Sequence, residues 1–137
     1  MSRGLRNNNP GNIRQSAVRY QGEIVPSADP AFKQFKSILW GYRAMFMLLH
    51  TYRKKHGLNT LDGIIRRYAP PFENHTEGYL KAVCNWSGIP ADRDLNTLDG
   101  TVMIPIVCAM SRVENGAEAL RGDVEAGWKL FIQTVNA

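Results

Sequence analysis

A chain of 137 residues, 44% hydrophobic and 21% charged, is one domain's worth of sequence with enough volume for a real core. No apolar run approaches the ~20 residues that a membrane span requires, and the basic opening Met1–Arg6 has no apolar segment behind it, so neither membrane insertion nor a secretory signal is expected. The net charge of +5 favours an acidic partner, which could be nucleic acid, an anionic surface or a bacterial wall, and charge alone does not choose among them.

Residues 1–36 carry Asn, Gly, Pro and isolated hydrophobes. Asn7-Asn8-Asn9-Pro10-Gly11-Asn12 is a turn signal, since Asn and Gly tolerate positive φ and Pro fixes its own. This part reads as a loop, with a short hairpin expected between Ile13–Tyr20 and Glu23–Val25. From Ser37, a plausible N-cap, the period becomes helical: Leu39, Tyr42, Met45, Phe46, Leu49 and Tyr52 recur at i+3/i+4 up to His56-Gly57. Thr60 caps a short helix with Leu61, Ile64, Ile65 and Tyr68 on one face, and Pro70-Pro71 stops it.

Thr76 or Asn74 opens the next helix, which carries Tyr79, Leu80, Val83 and Cys84 and closes at Gly88. A polar loop over Pro90–Asn96 leads to a helix from about Asp99 to Val113, with Pro105 in its first turns. Apolar residues all round it imply a central position. A last amphipathic helix carries Val124, Trp128, Phe131, Ile132 and Val135. Cys84 and Cys108 lie in apolar segments without CxxC spacing, and are expected to be buried free thiols. His50, His56 and His75 have no paired ligand spacing, so no metal or other cofactor is expected.

Glu114 is the informative carboxylate. It ends the most apolar stretch of the chain, Val102–Gly116. Apolar surroundings and the negative end of a helix dipole both disfavour its anion. A carboxyl group that keeps its proton near neutral pH can act as a general acid, as a glycosidase requires. The alternative is a surface glutamate at a helix end. For a second carboxylate the candidates are Glu73, Glu77, Glu23 and Asp29, with Glu73 preferred because it follows Pro70-Pro71. It would stand about 6.5–9.5 Å from Glu114 in an inverting enzyme and about 5–5.5 Å in a retaining one. Glu73 could equally form a helix-start capping pair with Thr76. Asn9, Asn12, Tyr68, Asn74, Thr76 and Tyr79 suit saccharide binding: aromatic faces stack on pyranose rings, and amides and hydroxyls bond sugar substituents. Turn formation by the asparagines and core packing by the tyrosines are the competing roles.

Arg6-Asn7-Asn8-Asn9-Pro10-Gly11-Asn12-Ile13-Arg14 resembles the opening of small phage and prophage proteins with a lysozyme-like fold. Phe32-x-x-Phe35-x-Ser37, Gly41-Tyr42-Arg43-Ala44 and Arg67–Thr76 with Tyr79 are similar to the same group. The order of motifs also resembles soluble lytic transglycosylases and goose-type lysozymes, rotated so that the glutamate-bearing helix end, Met110–Gly116, comes near the back of the chain. The resemblance implies a mainly α, lysozyme-like single domain over residues 1–137, circularly permuted, with a central buried helix. It implies a muramidase or lytic transglycosylase acting on bacterial peptidoglycan, with Glu114 as acid. In the transglycosylase case the sugar's own 6-hydroxyl replaces a second carboxylate. A phage-encoded protein would be made in the bacterial cytoplasm and reach the wall in the periplasm after release, or be carried in the virion, acting as a monomer or as part of the particle. The rival readings are a non-catalytic virion or wall-binding protein and, from charge alone, a nucleic-acid binder without any recognition motif.

Overall fold

The computed structural model describes residues 1–71 and 75–136. It is mainly helical. The described elements run α1 (Arg3–Arg6), β1 (Glu23–Ile24), β2 (Gln34–Phe35), α2 (Ile38–His56), α3 (Leu61–Tyr68), α4 (Thr76–Ser87), α5 (Gly100–Asn115) and α6 (Arg121–Val135). Among the described residues no helix is long and apolar enough to cross a membrane.

α2 is the longest helix. Ser37 precedes it in extended conformation, and Gly57 ends it at φ 65° with its N–H on the Arg53 carbonyl, as the sequence predicts. Its apolar stripe buries Tyr42, Met45, Phe46 and Leu49. α6 crosses it closely because Gly127 has no side chain: a Cβ there would lie 2.6 Å from the Tyr42 Cβ. Phe46, Trp128 and Phe131 fill the crossing with ring centroids 5.0–5.9 Å apart.

α5 packs against α1, α2, α4 and α6, the central position its sequence implies. It runs two residues beyond the expected end, so Glu114 lies inside its last turn rather than past it. Pro105 sits deeper than the first turn and leaves the Thr101 carbonyl without its usual donor. Cys84 and Cys108 are free but half-buried, less enclosed than expected.

One expectation about the first half of the chain needs correction. β1 pairs antiparallel with β2, Glu23 opposite Phe35, rather than with Ile13–Tyr20; of that stretch only Arg14 forms a bridge, to Phe32. The reason is Lys33. Its fully buried ammonium draws in the Val18 carbonyl at 2.7 Å and Glu23 at 3.1 Å, so residues 16–20 curl around a cation instead of extending beside a strand. Thr76 opens α4, one of the two starts expected from the sequence: it is the first helical residue, with His75 at the cap position, and its hydroxyl donates to the Ala69 carbonyl.

Candidate active site

The site forms where the Asn-rich loop closes over the end of α5. Gly116, at φ 69°, terminates that helix with its N–H on the Arg112 carbonyl. Asn115 then fastens the loop: its amide donates to the Pro10 carbonyl at 2.8 Å and to the Ser111 carbonyl at 2.9 Å, while its oxygen accepts from the Ser2 hydroxyl at 2.7 Å. Ser111 is buried with its hydroxyl 2.9 Å from the Tyr42 phenol, which ties α5 to α2.

The loop holds its shape through its own side chains. Asn8 and Asn12 both adopt positive φ, at 51° and 48°, a region that asparagine tolerates better than most residues. Asn9 is fully buried, donating to the Ile13 and Lys33 carbonyls and accepting from the Ile13 N–H. Gly11 is wedged against Tyr68 and Met45, and the Tyr68 phenol donates to the Gly11 carbonyl.

This scaffold delivers two donors to one carboxyl group. The Asn12 amide donates to Glu114 Oε1 at 2.9 Å, and the Tyr79 phenol, arriving from α4, donates to Oε2 at 2.9 Å. Glu114 is half-buried and its pKa is raised above the ordinary value. Desolvation is the largest cause; the hydrogen bonds from Asn12 and Tyr79 and the positive charge of Arg14 oppose it without cancelling it. Tyr68 and Tyr79 are pushed well above the usual phenol range, chiefly by burial and next by the Glu114 charge, so both remain neutral donors.

Two hollows bear on the site, and Glu114 lines only the first of them. One, of about 480 Å³, is lined by His75, Tyr79, Ala82, Trp86, Arg112 and Glu114 among others. The other, of about 230 Å³, is lined by Ile13, Arg14, Tyr52, Arg67 and Tyr68, the first two following Asn12 directly in the chain. A half-buried carboxyl group whose pKa is raised by desolvation, with open volume beside it, has the placement of a proton donor to a leaving oxygen.

Of the residues singled out in the sequence, the fold brings Glu114, Asn12 and Tyr79 into contact and sets Tyr68 next to them through Gly11. Asn9 and Thr76 serve the scaffold: both Asn9 amide hydrogens and its oxygen are engaged inside the loop, and Thr76 is buried with its hydroxyl donating to the Ala69 carbonyl. Glu73 and Asn74 lie outside the described residues. The other carboxylates are engaged elsewhere: Glu23 with Lys33, Asp29 with Arg3, and Glu77 with Arg66. Among the described residues no three His, Cys, Asp or Glu side chains gather as metal ligands.

Sequence reasoning passed over Trp86 and Arg112, which line the larger hollow. A signal was present. Tyr79, Ala82 and Trp86 follow at i, i+3 and i+7 on α4, one stripe that faces Glu114.

No family model matches the chain. It is 43% identical over 119 residues to Protein P5 of Pseudoalteromonas phage PM2, an overlap that covers 85% of this chain and 72% of that protein. An identity of that level over most of both chains makes this protein a member of the family of the phage PM2 Protein P5.

Proposed function

We propose that the protein is a peptidoglycan glycosidase that cuts the β-1,4 bond between N-acetylmuramic acid and N-acetylglucosamine, on a lysozyme-like, circularly permuted fold. The observation that carries this reading is Glu114: half-buried, raised in pKa, held by Asn12 and Tyr79, and open to a cavity large enough for a saccharide. Glu114 gives its proton to the glycosidic oxygen as the bond from that oxygen to the anomeric carbon breaks. The positive charge that develops on the sugar is quenched by water in a muramidase, or by the sugar's own 6-hydroxyl in a lytic transglycosylase. Permutation is supported by the closeness of the chain's start to the end of α5, where Ser2 bonds Asn115, the residue after the acid. Membership in a phage protein family suits an agent that breaches the wall from a virion or after release inside the cell.

The test is clearing of purified cell walls by the wild type and by Glu114→Gln. The wild type is expected to clear them and the variant to be slower by about 10²–10⁴-fold, the usual worth of a positioned proton donor. Equal clearing would remove Glu114 from the chemistry. Wall binding without clearing by the wild type would favour a non-catalytic wall-binding or virion protein. Mass analysis of the released fragments separates the two enzymes, since 1,6-anhydro ends come only from transglycosylation.

A further inference from the structure

Trp86 is the one tryptophan that stands largely in solvent, 47% exposed in the last turn of α4. It is not a stray surface residue. The Arg112 guanidinium, from α5, lies 4.0 Å from its ring centroid and pairs with the exposed Glu118 at 3.5 Å. The pair belongs to the wall of the Glu114 cavity and also to the wall of a separate hollow of about 260 Å³ lined by Pro105, Cys108 and Arg121. Trp86 and Arg112 therefore form a ridge, with the acid's cavity on one side and a second recess on the other.

We propose that this ridge is a saccharide subsite outside the bond that is cut, where a pyranose ring of the glycan strand rests on Trp86 and Arg112 bonds its N-acetyl or carboxyl oxygens. The inference rests on the glycosidase reading for the identity of the ligand, but not on catalysis. The chemistry of the ridge fits this occupant. An indole presents a broad apolar face to sugar C–H groups while its exposure leaves room for hydroxyls in water. A guanidinium over an aromatic ring that pairs with a carboxylate through one nitrogen has further N–H donors, whose fork suits carbonyl and carboxylate oxygens. The recess beyond the ridge gives a polymer somewhere to continue, so the contact matters for long strands and not for the shortest ones.

The experiment uses the full-length Glu114→Gln chain, which binds without cutting, and calorimetric titration with peptide-free glycan strands of a hexasaccharide or longer. Trp86→Ala is expected to weaken binding about tenfold, the scale of one lost aromatic contact, while Trp86→Phe keeps most of the affinity. Thermal melting checks that each variant is folded. In the active chain, Trp86→Ala should raise KM on long strands more than on short ones. Unchanged affinity and unchanged KM in Trp86→Ala, with walls still cleared, would overturn the subsite and leave the glycosidase reading intact. Loss of glycan binding in Trp86→Ala from a protein whose wild type clears no walls would keep the subsite and remove the catalytic assignment. No measurable glycan binding by the Glu114→Gln chain overturns the subsite outright.

Discussion

At the scale of single residues, Glu114 is a balance between burial and hydrogen bonding, and each side can be removed separately. Tyr79→Phe deletes a donor that favours the anion, so the Glu114 pKa should climb further. A general acid works only while protonated, so the falling alkaline limb of the pH–rate profile should move to higher pH in Tyr79→Phe, and a limb that stays or moves down would separate that titration from Glu114. The same shift has a stability consequence. Its folded pKa lies above the ordinary 4.5, so folding holds the proton more tightly than the unfolded chain does. The stability this contributes is full below that ordinary value and is lost as the pH rises through the folded one. Melting curves of the wild type against Glu114→Gln should therefore diverge to the wild type's disadvantage over that window. The sequence made this carboxyl legible because a glutamate at the negative end of an apolar helix breaks a local electrostatic preference. It could not reveal that Asn12 and Tyr79 would be its donors, because hydrogen bonds across a fold leave no periodicity.

Among elements, α5 and the Asn-rich loop have to be set against α2 with little tolerance. Gly41 lies in the first turns of α2, directly beneath the loop: a Cβ there would run into the Asn8 carbonyl and come 2.6 Å from the Pro10 Cδ. Gly41→Ala should cost about 1–3 kcal/mol in denaturant unfolding by overpacking, and should lower activity beyond that by tilting Asn12 away from Glu114. A variant that loses stability and keeps full activity would mean the loop tolerates displacement. Helices with clear punctuation were readable in advance: Gly57, Gly88 and Gly116 all mark ends, each in the left-handed region. α1 was not, since four residues cannot display a helical period. The β1–β2 pairing was hidden too, because it follows from a buried lysine, and sequence patterns assign lysine to the surface.

For the molecule as a whole, the aromatic cluster between α2 and α6 bears on stability without touching the site. Phe131 is fully buried against Phe46, Trp128 and His50. Phe131→Ala should cost about 3–5 kcal/mol, and lower the melting midpoint by roughly 10 °C, while leaving the pH–rate profile of the folded fraction where it was. A moved profile would show that the α2–α6 crossing also sets the geometry of Glu114.

The bond between Asn12 and Glu114 joins residues 102 apart, and that between Ser2 and Asn115 joins residues 113 apart. At bacterial elongation rates Asn12 is made ~5–20 s before Glu114. A ribosome-bound chain that already displays the whole loop and α2 through α4 still lacks Glu114, and a fragment released early carries the loop without the carboxyl it holds. Because the two parts of the site lie 102 residues apart in the chain, a premature stop before α5 or a severed α5 removes the Glu114 carboxyl instead of displacing it.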